Sequence, residues 1–325
     1  VVGATGLVGR IMLRVLEERN VPVTSLRLLA SARSAGEKVA FRGEDVVVEE
    51  LTKDSFDGCE YALFSAGGAI SKEYAPISAA AGCVAIDNSS AWRMDPNVPL
   101  VVPEVNGDDA FTHDGMIANP NCSTIQMVVA LKPLHDAFGL TRVVSSTYQS
   151  VSGAGQKGVD QLADEIAGRE PTSRISPHQV AYNTVFHSFA EGDAWSEEEV
   201  KMIRETRRIM HLPDLRIAVT CVRVPVLGGH GEMVAIETER PITADAARAV
   251  LKQAPGIIVL DDPSHATYPT VQISNNTDPV YVGRLREDPS TTNGLLMWVV
   301  ADNLRKGAAT NAIQILEYLN NRIAE

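Results

Sequence analysis

The sequence predicts an α/β protein with two domains: an N-terminal domain on a doubly wound parallel sheet, and an α+β domain with a mostly antiparallel sheet. Short apolar runs alternate with helical stretches through the first 120 residues. After Gly139 the sequence turns to longer β-rich segments with fewer helical stretches between them. At 325 residues the chain is also long for one hydrophobic core, which favours two domains.

The apolar runs of the first region have the length of buried strands, and the intervening stretches have helical periodicity. Residues 7–18 place apolar side chains at helical spacing and predict the first helix. Strands are predicted at residues 1–2, 26–30, 46–49, 61–64, 84–87 and 116–118. Since two residues make a poor strand, we expect the first strand to begin before Val1.

The second region has the patterning of an α+β domain. Strands are predicted at residues 141–148, 216–226, 232–239, 280–286 and 295–301, helices at 159–167 and 196–210, and a loop at 168–176. A last helix, 307–323, is expected to pack back onto the first domain. We therefore predict one domain of residues 1–121 with 304–325 and another of residues 122–303.

Charge and cysteine usage exclude several classes of function. The net charge of −12 argues against nucleic acid or an anionic membrane surface as a partner, because either needs a basic face. No window approaches 18 consecutive apolar residues, so no membrane span is predicted. The four cysteines form no CxxC pair, which indicates neither a disulfide framework nor a metal site and predicts a reducing, cytoplasmic location.

A glycine-rich loop lies between the first strand and the first helix. Its glycines have GxxGxxG spacing, which permits a tight turn and lets a pyrophosphate approach the helix N-terminus. The pattern predicts a dinucleotide-binding, Rossmann-like domain, although a purely structural turn is the alternative. The loop residues expected to touch the cofactor are Gly3, Thr5, Gly6, Leu7, Val8 and Gly9.

Cofactor choice is indicated by the end of the second strand. An NAD-binding domain usually carries an acidic residue there for the ribose 2′-hydroxyl, whereas this chain has Ser31, Arg33 and Ser34. A guanidinium and two hydroxyls suit a 2′-phosphate, so NADP(H) is predicted; a solvated loop cation is the alternative for Arg33. Ser65 and Gly67 follow another strand and should lie along the same edge, unless they form an ordinary glycine turn.

Cys122 lies between a short strand and a predicted helix that begins at Ser123. Unpaired amides and the helix dipole stabilise a thiolate at a helix N-terminus, and the thiolate is the form that attacks carbonyl groups. A lone cysteine is more often a buried structural residue, and Cys59, Cys83 and Cys221 are interpreted in that way.

Five motifs in order resemble those of the aspartate-semialdehyde dehydrogenases of bacteria, and the similarity extends over nearly the whole chain. They are GATGLVG, NSSAWRM, PNCST, TYQSVSGAG and CVRVPVLGGH. The resemblance implies NADPH-dependent reduction of L-aspartyl 4-phosphate to L-aspartate 4-semialdehyde and inorganic phosphate. It places the reaction in lysine, diaminopimelate, methionine and threonine biosynthesis. It also implies a homodimer or tetramer, with the β-rich second domain for catalysis and dimerisation.

The same resemblance implies a role for each matching residue. Cys122 is the acyl-thioester nucleophile, His230 the acid–base residue, and Gln149 the residue that orients the substrate. The substrate-binding residues are Arg223 for the carboxylate, Glu198 at the amino group, and Asn121. Arg93 and Lys201 hold the phosphate, and Ser152, Gly153 and Asn303 contact the nicotinamide end of the cofactor.

The residues themselves leave several alternatives open. Residues 223–226, the two glycines 228–229 and the run from His230 suggest a strand, tight turn and strand that bring Arg223 and His230 together. An isolated arginine on a strand is otherwise usually a solvated edge residue. The glutamates of helix 196–210 suggest a solvated face carrying Glu198 and Lys201. Arg93 has packing against its neighbours as an alternative.

Two other classes of protein share parts of this pattern. Glyceraldehyde-3-phosphate and N-acetylglutamyl-phosphate dehydrogenases also join a dinucleotide domain to a cysteine, but their nucleophile segments resemble SCTTN and GCYPT rather than NCSTI. A catalytically silent NADP-binding regulator would be expected to lack the cysteine or the histidine, and this chain has both.

Overall fold

The structure is a computed structural model that describes residues 1–189 and 192–323. Its helices are α1 Leu7–Glu18, α2 Gly68–Ala80, α3 Pro103–Asn106, α4 Cys122–Phe138, α5 Gln156–Ile166, α6 Glu197–Ile209, α7 Ala244–Leu251, α8 Val271–Ser274 and α9 Thr310–Ile323. Its strands are β1 Leu28–Ala30, β2 Lys38–Phe41, β3 Glu44–Glu50, β4 Tyr61–Phe64, β5 Val84–Asp87, β6 Met116–Ala118, β7 Leu140–Gln149, β8 Val185–Phe186, β9 Arg216–Arg223, β10 His230–Thr238, β11 Ile257–Val259, β12 Val280–Glu287 and β13 Gly294–Ala301. The chain forms two compact units, Val1–Pro120 with the segment from Ala308, and Asn121–Gly307.

The first unit is the doubly wound sheet that the sequence predicts. Strands β1, β3 and β2 form one half, β4, β5 and β6 the other, and parallel bridges from Val2 to Leu29 and Phe64 join the halves. All pairings are parallel except that of β2 with β3, a hairpin turning at Arg42 and Gly43. The pattern missed β2, whose alternating exposed and buried residues form a sheet edge.

Apolar layers cover both faces of this sheet. Alternate strand residues contribute to two separate clusters, as side chains of a pleated strand must. Helices α1 and α9 pack on one face through Met12 and Ile313, and α2 packs on the other near Phe64. Arg19, the C-cap of α1, forms a bidentate ion pair with Glu317 of α9: its Nε donates to Oε1 at 3.0 Å and its Nη2 to Oε2 at 2.6 Å. The last helix therefore belongs to the first unit, as expected, although it begins at Thr310 after a π-helical turn at Arg305–Ala309.

The second unit is built on one seven-stranded mixed sheet in the order β11-β12-β13-β10-β7-β9-β8. Four of its six pairings are antiparallel, while β7 with β9 and β11 with β12 are parallel. Helix α4 packs against its central strands and contacts α6 and α7. The fold is therefore α/β, with a dinucleotide-type first domain and a mostly antiparallel second sheet.

The predicted hairpin between residues 223 and 230 is wrong. Strand β9 ends at Arg223, and β7 lies between β9 and β10, so the two strands do not pair. The sequence pattern could not distinguish a hairpin from two strands that share a neighbour. No helix among the described residues has both the length and the apolarity needed to cross a membrane.

Candidate active site

Three predicted site residues stand in a row across the second sheet. Gln149, the last residue of β7, lies opposite His230 of β10 on one side and Arg223 of β9 on the other. Residues directly opposite each other in neighbouring strands project from the same face. The sheet therefore brings the histidine and arginine together through the strand between them, rather than through a turn.

Cys122 is the first residue of α4, as the sequence predicted to within one residue. The N-cap is Asn121, whose Oδ1 accepts hydrogen bonds from the amides of Ser123 and Thr124. Cys122 is half-buried. A Cβ on Gly307 would lie 2.8 Å from the Cβ of Cys122, so this close approach requires glycine.

The other cysteines have a different environment. Cys83 and Cys221 are buried, and burial raises the pKa of each thiol. Cys59 is half-buried among apolar neighbours of the first unit. Of the four, only Cys122 occupies a helix N-terminus, and its thiolate charge acts on the pKa of Arg223, whose guanidinium is half-buried.

The acidic face of α6 is buried, so its interpretation as a solvated face is wrong. Glu198, Glu199 and Glu205 are all shielded from solvent. Glu199 completes a capping box with Ser196 and accepts a hydrogen bond from the amide of Cys221. Glu205 accepts a 2.6 Å bond from the amide of Asn121. These carboxylates satisfy buried amides, which helical spacing alone could not reveal.

Glu198 is the carboxylate that connects α4, β7 and α6. Its Oε1 accepts from Asn121 Nδ2 at 2.8 Å and Gln149 Nε2 at 3.2 Å, and its Oε2 lies 3.6 Å from Lys201 Nζ. Burial by itself raises the pKa of Glu198. The charge that His187 takes on at low pH, the Lys201 charge and the two hydrogen bonds outweigh burial and lower the pKa to about 2. Glu198 is therefore a buried anion at neutral pH.

His230 is fully buried, and its tautomer follows from its contacts. The amide of Ser150 donates to Nδ1 at 3.0 Å, so in the neutral ring the hydrogen is on Nε2. Burial, followed by the charge of Arg223, lowers the pKa of His230 to about 3. Among the described residues Nε2 has no hydrogen-bond partner, and such a buried donor can serve a bound ligand.

Arg223 lies beside Nε2 of His230. A Cβ on Gly153 would be 3.3 Å from both Arg223 Nη1 and His230 Nε2, so glycine leaves the space in front of both groups open. Arg223 donates from Nη1 to the carbonyl of Ser150 at 2.6 Å and from Nη2 to Nδ1 of His187 at 3.3 Å. Each terminal nitrogen keeps a second hydrogen that can bind a carboxylate.

The predicted nicotinamide-contacting residues form a buried cluster. Asn303 Oδ1 accepts from the amide of Gly229 at 2.9 Å and from the hydroxyl of Ser150 at 3.1 Å. Asn303 Nδ2 donates to Ser152 Oγ at 3.1 Å. The cluster fixes the short 3₁₀ turn Val151–Ala154, which carries Gly153.

Glu232 is a buried carboxyl group that the sequence analysis missed. It lies two residues beyond His230 on β10, so both face the same side of the sheet, and it is fully buried near Ser123 and Gln126. Burial raises its pKa well above the usual range. The alternation of His230 with Glu232 was visible in the sequence but did not reveal burial.

Arg93 belongs to the first unit, where backbone carbonyls hold it. Its Nε donates to the carbonyl of Asn119 at 2.9 Å and its Nη2 to that of Asn88 at 3.0 Å. The guanidinium is therefore buried and held by hydrogen bonds to two carbonyl groups of its own unit. Packing against sequence neighbours, the alternative for this residue, does not account for these bonds. Its role as a phosphate ligand stays a prediction.

The glycine loop fits a dinucleotide phosphate. A Cβ on Gly3 would lie 2.6 Å from the carbonyl oxygen of Ser65, and one on Gly9 would lie 2.2 Å from that of Gly3. Helix α1 begins after Gly6 without a side-chain cap and without an acidic residue in its first turn. Gly67, the N-cap of α2, has φ +88° and no atom within 4 Å of its Cβ position. The edge of the sheet therefore leaves backbone amides accessible to an anion.

The turn after β1 holds the residues predicted to select the cofactor. Ala32–Ser34 form a 3₁₀ turn with Arg33 exposed. Within the described parts of the chain Arg33 makes no ion pair, and the described residues contain no group of three or more metal-ligating side chains. A guanidinium on this turn has no internal partner to compete with a ligand phosphate.

Each of the two units matches the model of a known protein family. The semialdehyde dehydrogenase NAD binding domain matches residues 1–113, and the semialdehyde dehydrogenase dimerisation domain matches residues 131–306. The chain is 55% identical to aspartate-semialdehyde dehydrogenase of Aquifex aeolicus over 329 aligned residues, covering 98% of this chain and 96% of the relative.

Solved structures agree with this match. The aspartate semialdehyde dehydrogenase II of Vibrio cholerae complexed with ASA superposes with a TM-score of 0.92 at 46% identity, covering 98% of this chain and 97% of that one. Aspartate semialdehyde dehydrogenase with NADP from Candida albicans superposes with a TM-score of 0.76 at 25% identity, covering 98% and 97%.

Proposed function

This chain belongs to the aspartate-semialdehyde dehydrogenase family, and on that basis we propose that it reduces L-aspartyl 4-phosphate to L-aspartate 4-semialdehyde with NADPH, through a thioester on Cys122. The observation that carries the proposal is the placement of Cys122 at the N-terminus of α4, in the unit that holds Gln149, Arg223 and His230 in one row. The product would supply lysine, diaminopimelate, methionine and threonine biosynthesis.

Substrate recognition follows from two charges of opposite sign, the half-buried Arg223 and the buried Glu198. The free hydrogens of Arg223 suit the α-carboxylate, since a guanidinium fork can bind both oxygens. Glu198, ionised at neutral pH, suits the α-ammonium group. Gln149 Nε2 donates to both Ser123 Oγ and Glu198 Oε1, so it fixes the carboxylate relative to the nucleophile helix. Asn121 supports the nucleophile by capping α4, and it supports Glu198 through a hydrogen bond from its side-chain amide.

The first chemical step is acyl transfer to sulfur. The thiolate of Cys122 attacks the carbonyl carbon of the acyl phosphate, a C–S bond forms, and the C–O bond to phosphate breaks so that phosphate leaves with its electron pair. The Nε2–H of His230, which has no hydrogen-bond partner within the described residues, can donate to the oxyanion of the tetrahedral intermediate. Lys201 and Arg93 are proposed to bind the phosphate group.

The second step regenerates the thiolate. When bound, NADPH supplies a hydride to the thioester carbon. His230 donates from Nε2 to the resulting oxyanion and takes back any proton it has transferred as the C–S bond breaks. The aldehyde leaves and Cys122 returns to the thiolate, so the step balances without another reductant. In reverse, the aldehyde, phosphate and NADP give the acyl phosphate.

Cofactor binding is proposed for the first unit. Gly3, Thr5, Gly6, Leu7, Val8 and Gly9 would hold the pyrophosphate, with Ser65 and Gly67 along the same edge. Ser31, Arg33 and Ser34 would bind the 2′-phosphate, which favours NADP over NAD. Ser152, Gly153 and Asn303 would contact the nicotinamide end. We propose residues 1–121 with 304–325 as the NADP-binding domain, residues 122–303 as the catalytic domain, and assembly as a homodimer or tetramer.

A spectrophotometric assay of the enzyme tests the proposal directly. The enzyme is mixed with L-aspartate 4-semialdehyde, NADP and inorganic phosphate, and absorbance of NADPH is followed. We expect steady turnover to require phosphate, because phosphate releases the acyl group from sulfur. Cys122→Ala should abolish turnover while the melting temperature stays close to that of the wild type. Phosphate-independent turnover, or most of the activity retained by Cys122→Ala, would contradict the thioester route.

A further inference from the structure

Glu232 and Gln126 are a buried polar pair that neither the motifs nor the proposed mechanism uses. Glu232 lies on β10 two residues beyond His230, and Gln126 lies on α4 one helical turn beyond Cys122. Both side chains are closed off from solvent, and they lie next to each other. The pair therefore lies between the helix that carries the nucleophile and the strand that carries the acid–base histidine.

A hydrogen bond fixes the orientation of the Gln126 amide. Its Nε2 donates to the backbone carbonyl of His230 at 3.3 Å. An amide carries its donors on nitrogen and its acceptor on oxygen, so with Nε2 directed at His230 the Oε1 atom requires a donor of its own. Oε1 is fully buried, and within the described part of the chain no donor bonds to it.

Glu232 can supply this donor when it is protonated. A neutral carboxyl has an O–H that donates, whereas a carboxylate has acceptors only. An ionised Glu232 would leave Gln126 Oε1 unpaired beside a buried negative charge. Burial raises the pKa of Glu232 well above its usual range, and the charge of Glu198 adds to that effect. The neutral acid therefore complements the amide, and its carbonyl oxygen remains for the nearby hydroxyl of Ser123.

We propose that Glu232 is a positioning residue for the reaction: its O–H donates to Oε1 of Gln126 and so holds the amide that ties α4 to the carbonyl of His230. This inference rests on the proposed function. With the amide fixed, the first turn of α4 keeps its place along β10, and Cys122 keeps its position relative to the Nε2 donor of His230. Such placement matters because a displacement of about 1 Å can cost on the order of 100-fold in rate.

Two substitutions of Glu232 separate its donor from its volume. Glutamine has nearly the same shape as the neutral acid, and its amide N–H can donate to Gln126 Oε1. Leucine is similar in size and has no donor. Glu232→Gln therefore retains the proposed hydrogen bond, whereas Glu232→Leu removes it.

The test measures kcat and KM for L-aspartate 4-semialdehyde in wild type and both variants. We expect Glu232→Leu to lower kcat by about 10-fold, equal to ~1.4 kcal/mol of activation free energy, because Gln126 Oε1 loses its donor. KM for the aldehyde should be unchanged, since neither Arg223 nor Glu198 bonds to this pair. Glu232→Gln should keep the kcat of the wild type.

A double-mutant cycle tests whether Glu232 acts through Gln126. Gln126→Leu should lower kcat about as much as Glu232→Leu does, because each removes the link to the His230 carbonyl. If one acts through the other, the double variant should be no slower than either single variant. Losses that multiply in the double variant would show that Glu232 acts independently of Gln126 and overturn the proposal.

Ser145 provides a matched control. It is a buried polar residue of β7 that faces the same side of the sheet as Glu232, and its Oγ likewise has no hydrogen-bond partner within the described residues. Ser145→Ala should leave kcat and KM unchanged. A loss of kcat as large as that of Glu232→Leu would show that any change in this polar layer slows the enzyme, and would overturn the proposal.

The kinetic outcomes are distinct. A Glu232→Gln variant as slow as Glu232→Leu, or a Glu232→Leu variant with the kcat of the wild type, would contradict a role of the donor. A raised KM for the aldehyde at unchanged kcat would assign Glu232 to substrate binding and overturn the proposal. A wild-type enzyme that fails to turn over would refute the proposed function itself.

An infrared measurement tests the hydrogen bond without any turnover. The difference spectrum between wild type and Glu232→Gln at neutral pH should contain the C=O stretching band of a protonated carboxyl group. Gln126→Leu, which removes the acceptor, should shift this band to higher frequency. A carboxylate band in its place, or a band that Gln126→Leu leaves unshifted, would contradict the proposal.

Discussion

Replacing Glu232 with glutamine should stabilise the protein, by an amount that increases with pH. Glu232 is fully buried on β10, and neither of its carboxyl oxygens has a hydrogen-bond partner within the described residues. The Oε1 of neighbouring Gln126 also lacks a donor there. A protonated Glu232 can supply that donor, whereas an ionised one would be an unpaired buried charge. A glutamine amide can supply the same donor at every pH.

The sign and size of the expected change in the free energy of unfolding follow from proton linkage. The folded pKa of Glu232 is raised well above the unfolded value of 4.5, with burial as the main cause. Below pH 4.5 both states hold the proton, and the group leaves stability independent of pH. Above it the unfolded chain ionises while the folded protein keeps its proton. Unfolding then releases a proton, so this group lowers the free energy of unfolding by ~1.4 kcal/mol per pH unit up to the folded pKa.

Urea unfolding of the wild type and Glu232→Gln at a series of pH values between 5 and 8, at fixed protein concentration, tests this reasoning. Every other titrating group is common to both proteins and cancels in the difference, including His187 and His230 with their lowered pKa values. The variant should gain ~1.4 kcal/mol relative to the wild type for each pH unit. Parallel curves, with a constant difference, would show that Glu232 is ionised in the folded protein and refute the argument.

Two further substitutions test cofactor choice and the nucleophile helix. Arg33→Ala should weaken NADP binding by about 10-fold or more while NAD binding stays the same, since it removes a charge-assisted bond to the 2′-phosphate; a wild type that uses NAD and NADP equally would contradict this. Asn121→Ala should lower the free energy of unfolding by ~1 kcal/mol through loss of the α4 N-cap and raise KM for the aldehyde by releasing Glu198. Asn121→Ser retains a neutral capping oxygen but cannot donate to Glu198 as the amide does, so it should recover stability alone, and equal stability losses in the two variants would exclude the capping role.

Elements set by local pattern could be predicted from the sequence. The bounds of α1, β4, β5 and β6 agree with the prediction, because helical spacing and short apolar runs between glycines reflect the environment of each segment. The position of Cys122 at a helix N-terminus followed in the same way. Its capping by Asn121 uses a side chain adjacent in sequence.

Contacts between distant segments could not be predicted in this way. Arg223 and His230 are seven residues apart in the sequence, which suggested a turn, yet their proximity depends on pairing with Gln149 in β7. Glu199 and Glu205 of α6 have the spacing of a solvated face, yet both are buried, where they accept hydrogen bonds from an amide of β9 and from the amide of the α4 N-cap. His187 lies in a connection without regular pattern, so its contact with Arg223 gave no signal in the sequence.

The central claim is a covalent acyl group on Cys122, and mass spectrometry of the enzyme after partial reaction tests it most directly. With L-aspartate 4-semialdehyde and NADP but no phosphate, the enzyme should release about one NADPH per active site and stop, as acyl-enzyme accumulates. The peptide containing Cys122 should then carry an aspartyl thioester that added phosphate removes. Release of NADPH while the Cys122 peptide remains unmodified would contradict the account.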